Sequence, residues 1–123
     1  MLRPLAVLPA CFLALTAFSD GAKKELAAAC ADSLVKRQER GRETPEALVK
    51  NRTPICTCVA DAVADEAEIP DGDKPKVTKT FALVAAGDME AARALRLALD
   101  KPVHTAMRRI TRDCAREFEK AGE

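Results

Sequence analysis

Cysteine is the residue type with the most chemistry to offer in this chain, because a thiolate can bind a metal ion, exchange with a disulfide or pair with a second thiol. The chain has five cysteines in 123 residues. Four of them lie beyond the apolar N-terminal segment, at Cys30, Cys56, Cys58 and Cys114. Two of these four are separated by a single residue, so the chemistry of the chain depends on what this Cys-x-Cys segment does.

The N-terminal segment predicts the compartment in which the cysteines are found. Residues 1–19 carry one charge, Arg3, followed by an apolar run, which is the pattern of a secretory signal peptide. Small residues at Ala17 and Ser19 predict cleavage before Asp20. The apolar run, at about 15 residues, is shorter than the roughly 20 that a membrane-spanning helix needs. We therefore expect a periplasmic or secreted protein.

Two alternatives for the leader stay open. It could persist as an uncleaved membrane anchor, or it could be lipidated at Cys11, although Pro9 fits a lipidation motif poorly. After its removal, residues 20–123 would form one domain with no integral membrane span. Loss of Arg3 would leave 19 basic and 19 acidic residues. Because this balance is neutral and the chain has no Trp or Tyr, we expect no binding to nucleic acid.

Structural disulfides are the favoured chemistry for the four cysteines, because exported thiols meet an oxidising environment. A zinc or copper(I) thiolate site is the alternative, but zinc knuckles have Cys-x2–4-Cys spacing. A redox-active pair would need Cys-x-x-Cys at a helix start. We therefore predict two disulfides, with no metal ion and no other cofactor.

The elements that hold these cysteines are predicted to be helices. Ala, Leu, Arg, Lys and Glu dominate, and all of them favour helices. We expect an all-α domain, a small bundle of four to five helices, in which Gly87-Asp88 either breaks a helix or is carried through it. The first helix is predicted at about 23–40 and the last from Asp100 to about residue 120. The last has the clearest apolar stripe, formed by Val103, Met107, Ile110, Cys114 and Phe118.

The Cys-x-Cys spacing predicts a central helix that is cross-linked on two sides. Positions two residues apart point about 200° apart around a helix, so Cys56 and Cys58 cannot easily bond to each other. One would face the first helix and the other the last. We favour Cys30–Cys58 with Cys56–Cys114, and the swapped pairing stays open because sequence alone does not decide connectivity.

The pattern of Cys30 and the run Ile55-Cys56-Thr57-Cys58-Val59-Ala60-Asp61 resembles that of small uncharacterised exported helical proteins of bacteria, which carry a Cys…Cys-x-Cys…Cys arrangement after a leader. The similarity covers roughly residues 26–66. It implies a secreted helical protein and implies no activity.

A row of cations on the last helix is the candidate binding surface. Arg108, Arg112, Arg116 and Lys120, here called the basic stripe, follow each other at steps of four and so share one face. Arg93, Arg96 and Lys101 could extend it. The ordinary interpretation is a solvated face. The functional interpretation is docking to an acidic protein or an anionic surface.

Catalysis is not expected. His104 is the only histidine and lies beside the apolar stripe, four residues before Arg108, on a predicted solvated surface. The acidic residues between Asp61 and Asp73 lack the order of a calcium loop. We therefore expect a binding or structural accessory protein. Alternatives are a periplasmic thiolate metal-binding protein and an inhibitor or immunity-type protein of a secreted enzyme.

Overall fold

The structure, a computed structural model, describes residues 18–41 and 44–121, except for the side chains of 119–121. The described residues form six helices and no strand, which confirms the all-α class. The predicted number of four to five helices is too low. Most of the predicted leader lies outside the described residues. The helices are α1 (Asp20–Glu39), α2 (Glu46–Lys50), α3 (Arg52–Asp65), α4 (Lys74–Ala85), α5 (Met89–Leu97) and α6 (Lys101–Ala121).

Helix α1 is capped by a residue of the predicted leader. The Ser19 hydroxyl accepts a hydrogen bond from the Ala22 N–H at 3.1 Å, and the half-buried Phe18 packs against the core. A serine N-cap stabilises a helix by about 1 kcal/mol. Cleavage before Asp20 would remove both the cap and the Phe18 contact.

The chain reverses between α4 and α5 at Gly87, where φ is +84°. The N–H groups of Gly87 and Asp88 donate to the carbonyls of Val84 and Leu83, both at 2.9 Å, which ends α4 in a Schellman motif. The Asp88 carboxylate then accepts from the Ala91 N–H at 3.1 Å and caps α5. The two residues therefore break the helix, and this break raises the helix count.

Helix α1 packs against both α3 and α4, while α6 packs against α3 and α5 packs against α4. The apolar stripe of α6 is confirmed, with Met107 and Phe118 half-buried at its edge. In residues 18–41 and 44–121, no helix has the length and hydropathy needed to cross a bilayer. The main core includes Leu26, Cys30, Ile55, Cys56, Val59, Val63, Ile69, Val77, Val103, Ile110 and Cys114.

Candidate functional site

Two disulfides link three of the helices, as predicted. Cys30 of α1 bonds to Cys56 of α3, and Cys58 of α3 bonds to Cys114 of α6, with Cα atoms 5.6 and 5.8 Å apart. The favoured pairing, Cys30–Cys58 with Cys56–Cys114, is wrong, and the structure has the swapped pairing. The central position of α3, between the first and last helices, is confirmed.

The faces of α3 explain the pairing. Cys56 continues the buried face formed by Val59 and Val63, and α3 meets α1 through buried residues that include Cys30. Cys58 points about 200° away from Cys56, is half-buried, and bonds to α6. The steps of three and four from Cys56 to Val59 and Val63 identify this buried face in the sequence, but they do not identify the helix that it meets.

Pairwise bonding leaves these four cysteines with no thiolate for a metal ion. In the part of the chain that the structure describes, no group of three or more His, Cys, Asp or Glu residues is placed to hold a metal ion. The Glu117 carboxylate lies 4.0 Å from Cys58 Sγ. The disulfide sulfur carries no hydrogen, so this contact is not a hydrogen bond. The role of the cysteines in this structure is cross-linking.

The basic stripe lies on the outer surface of α6. Arg108, Arg112 and Arg116 are exposed, and the side chain of Lys120 is outside the described residues. Arg112 Nε lies 3.3 Å from the Asp113 carboxylate. Arg108 and Arg116 have no hydrogen-bond or ion-pair partner among the described residues. Two of the four predicted cations are therefore exposed charges without a counter-ion in the described part of the chain.

A neighbouring arginine, also exposed, pairs with the residue that follows α3. Arg109 forms an ion pair with Glu66, and the Glu68 N–H donates to the same carboxylate at 3.1 Å. The hydrogen bond from Arg109 is the largest cause that holds the pKa of Glu66 below its ordinary value, and the hydrogen bond from the Glu68 N–H is the next. The same contact raises the pKa of Arg109. Arg109 therefore helps to fasten α6 to α3 and does not belong to the basic stripe.

An open groove of about 530 Å³ lies beside the stripe, and no pattern in the sequence predicted it. It forms between α4, the end of α5 and α6, since α6 packs mainly against α3 and only weakly against α4. Its floor is apolar. Residues from α4 and from the segment 99–107 form this floor, namely Val77, Phe81, Val84, Leu99, Val103 and Met107.

Three charged side chains line the groove among the described residues, and all are arginines: Arg37 of α1, Arg96 of α5 and Arg108 of α6. No aspartate or glutamate of the described ranges contributes to its lining. His104, predicted on a solvated surface, is half-buried and lines the groove with Thr80 and Thr111. Of the cations that could extend the stripe, Arg96 reaches this site, whereas Arg93 and Lys101 are not part of its lining.

Leu97 lies at the edge of the groove and is 65% exposed. Among the residues described, it is the one large hydrophobic side chain that is exposed. An apolar floor, an exposed leucine and arginines from three helices therefore meet at one place, which suits a ligand with an apolar part and a negative charge.

In comparisons with known proteins, no protein-family model, curated protein or solved structure matches the chain.

Proposed function

We propose that this protein is an exported binding or accessory protein, without catalytic activity of its own, that docks an acidic protein partner through the basic stripe of α6. The observation that carries the proposal is the exposure of Arg108 and Arg116, which have no ion-pair partner among the described side chains. Its two intramolecular disulfides are compatible with an oxidising compartment, and we place its action in the periplasm or outside the cell.

The electrostatics of α6 support this proposal. Arg108, Arg112 and Arg116 follow at steps of four along one face. Like charges at this spacing destabilise a helix by a few tenths of a kcal/mol per pair. Negative groups of a partner would relieve this repulsion and would steer the encounter. Arginine also forms paired hydrogen bonds with carboxylates, which a flexible lysine does less well.

The test is photo-crosslinking in cells from a photoreactive residue at Thr105, which is exposed on α6, followed by mass spectrometry of the cross-linked product. We expect one acidic protein to be captured. The variant R108Q/R112Q/R116Q should lose this capture while its free energy of unfolding stays the same or rises slightly, because the repulsion between neighbouring arginines is removed. If the stripe served only stability, the variant would lose free energy of unfolding together with the cross-link.

The matched control is K24Q/K50Q/K79Q, which removes three exposed lysines from other helices. This control should keep the cross-link, and raising the salt from about 0.05 M to about 0.5 M should weaken it by screening. Equal capture by the arginine variant and the wild type would contradict the proposal. So would binding to anionic phosphatidylglycerol vesicles with no cross-linked protein, because the partner would then be a membrane surface.

A further inference from the structure

The floor of the groove suits a hydrocarbon chain better than a polar or aromatic ligand. Val77, Val84 and Val103 line it together with the half-buried side chains of Phe81 and Met107. The chain has no Trp or Tyr, so no phenol or indole is available to donate a hydrogen bond to a ring or a sugar. Methionine adapts its shape to different apolar neighbours. The volume of about 530 Å³ is within the range of small-molecule sites, roughly 300–1,000 Å³.

The rim of the groove suits an anion. Arg96 and Arg108 line it from α5 and α6, and neither has a hydrogen-bond or ion-pair partner among the described residues. Arg37 adds a third guanidinium to the lining from α1. Guanidinium groups bind carboxylates through two parallel hydrogen bonds. Because no carboxylate of residues 18–41 or 44–118 lines the groove, a ligand could bring a negative charge to Arg96 and Arg108.

We propose that the groove binds a single-chain fatty carboxylate, with its hydrocarbon tail along the floor and its carboxylate at Arg96 and Arg108. The bound chain covers Leu97, which is otherwise 65% exposed. A small amphiphile is favoured over a protein segment. A stable protein interface buries about 800 Å² on each side, and the surface area of the groove lining is far smaller. This site shares Arg108 with the basic stripe, but Arg96 and Leu97 line it and lie outside the stripe, so its binding can be tested separately from that of the acidic partner.

The test is a fluorescence titration of the purified, oxidised protein with cis-parinaric acid, a fatty acid that fluoresces when it enters an apolar site. The absence of Trp and Tyr removes most of the protein background. We expect a saturable increase with one probe per chain, reversed by dodecanoate below its micelle concentration. Dodecanol has a similar tail and no charge, so it should compete about tenfold more weakly because it lacks the arginine contacts.

Two single substitutions locate the binding. Leu97→Glu and Arg96→Glu each put a carboxylate at the groove and should raise the Kd for dodecanoate by about tenfold or more. The control Arg93→Glu changes an exposed residue of the same helix outside the lining and should leave the Kd unchanged. R112Q/R116Q should also leave it unchanged, which separates this proposal from docking through the stripe.

The proposal is overturned if parinaric acid shows no saturable binding, or if dodecanol competes as well as dodecanoate. It is also overturned if Leu97→Glu and Arg96→Glu bind dodecanoate like the wild type, because the chain would then lie elsewhere. Tighter competition by dodecyl phosphate than by dodecanoate would reject the carboxylate headgroup. Loss of the cross-linked protein in R108Q/R112Q/R116Q with dodecanoate binding intact in R112Q/R116Q would support both sites independently.

Discussion

Lys74 is the one buried charged side chain among the residues described, at 5% exposure. Its ammonium donates a hydrogen bond to the Ala64 carbonyl at 2.8 Å and lies 3.0 Å from the Asp71 carboxylate. Ala64 is in the last turn of α3, where carbonyl groups lack helical partners and where a cation is favourable for the helix dipole. Lys74 therefore joins the end of α3 to the start of α4.

Replacing Lys74 with Met should lower the free energy of unfolding by about 1–3 kcal/mol, because the Ala64 carbonyl loses its charged donor. Chemical denaturation followed by circular dichroism measures this change. The control is Lys79→Met on the exposed side of the same helix, which should shift stability by no more than about 0.5 kcal/mol. Equal effects of the two substitutions would show that the Lys74 contact contributes nothing of its own.

The ion pair between Glu66 and Arg109 predicts acid sensitivity. The pKa of Glu66 is lower in the folded chain than in the unfolded chain, so deprotonated Glu66 stabilises the fold. This contribution is complete above the unfolded value of about 4.3 and disappears as the pH falls through the lower folded value. In Glu66→Gln the stability deficit relative to the wild type should be constant at about pH 6–7 and should shrink below about pH 4.

Urea midpoints measured across this pH range test the prediction for Glu66. Glu25→Gln, at an exposed position of α1, is the control and should show the same pH dependence as the wild type. A deficit for Glu66→Gln that stays constant down to about pH 3 would mean that ionisation of Glu66 is not linked to folding.

At the scale of the elements, the connection between α4 and α5 depends on one glycine. Gly87 has a φ of +84°, and a Cβ there would meet Lys36 Cε at 3.4 Å. A residue with a side chain pays about 1–2 kcal/mol to adopt this left-handed conformation. Gly72, in the loop after α3, has no positive φ, and a Cβ added to it would have no neighbouring atom within 4 Å. It therefore offers a matched comparison.

Gly87→Ala should therefore lower the thermal midpoint and the free energy of unfolding by about 1–2 kcal/mol, measured by calorimetry. Gly72→Ala should be neutral or slightly stabilising, because it reduces the freedom of the unfolded chain at a compatible position. If both substitutions raised the midpoint, the left-handed conformation at Gly87 would not constrain the connection.

At the scale of the whole molecule, the two disulfides make α3 the covalent centre. They span sequence separations of 26 and 56 residues. In the chain-entropy model, loops of these lengths stabilise the folded state by about 3.5 and 4 kcal/mol, which is large against a typical total of about 5–15 kcal/mol. The Cys58–Cys114 bond, together with the ion pair of Arg109, holds α6 and therefore one wall of the groove.

The double variant C58A/C114A removes the second bridge without leaving an unpaired thiol. We expect it to lose up to about 4 kcal/mol of stability, to be cut by protease in or near α6, and to retain the Cys30–Cys56 bridge in non-reducing peptide maps. C30A/C56A is the matched variant and should lose slightly less because it opens a shorter loop. A wild-type melting curve for C58A/C114A would contradict the proposed importance of this bridge.

Much of the local structure was predictable because its causes are local. The step pattern of α6 identified its buried face, and Gly87-Asp88 was recognised as a possible break, at which the structure ends α4 and begins α5. The cysteine pairing was missed because the interpretation treated the two sides of α3 as equivalent. The groove could not be found at all, since it lies between residues of α4 and α6 whose distance depends on how each helix packs on its neighbours.

The amino-acid sequence alone determined the helical class, the disulfide character and the row of arginines on α6, because propensity, periodicity and cysteine number are properties of the chain itself. Tertiary packing decided which cysteine of the Cys-x-Cys segment meets which helix. It also decided that α6 packs mainly against α3, so that Arg37, Arg96 and Arg108 line one groove together with apolar residues of α4 and α6. These outcomes depend on contacts between distant segments, which no local pattern specifies.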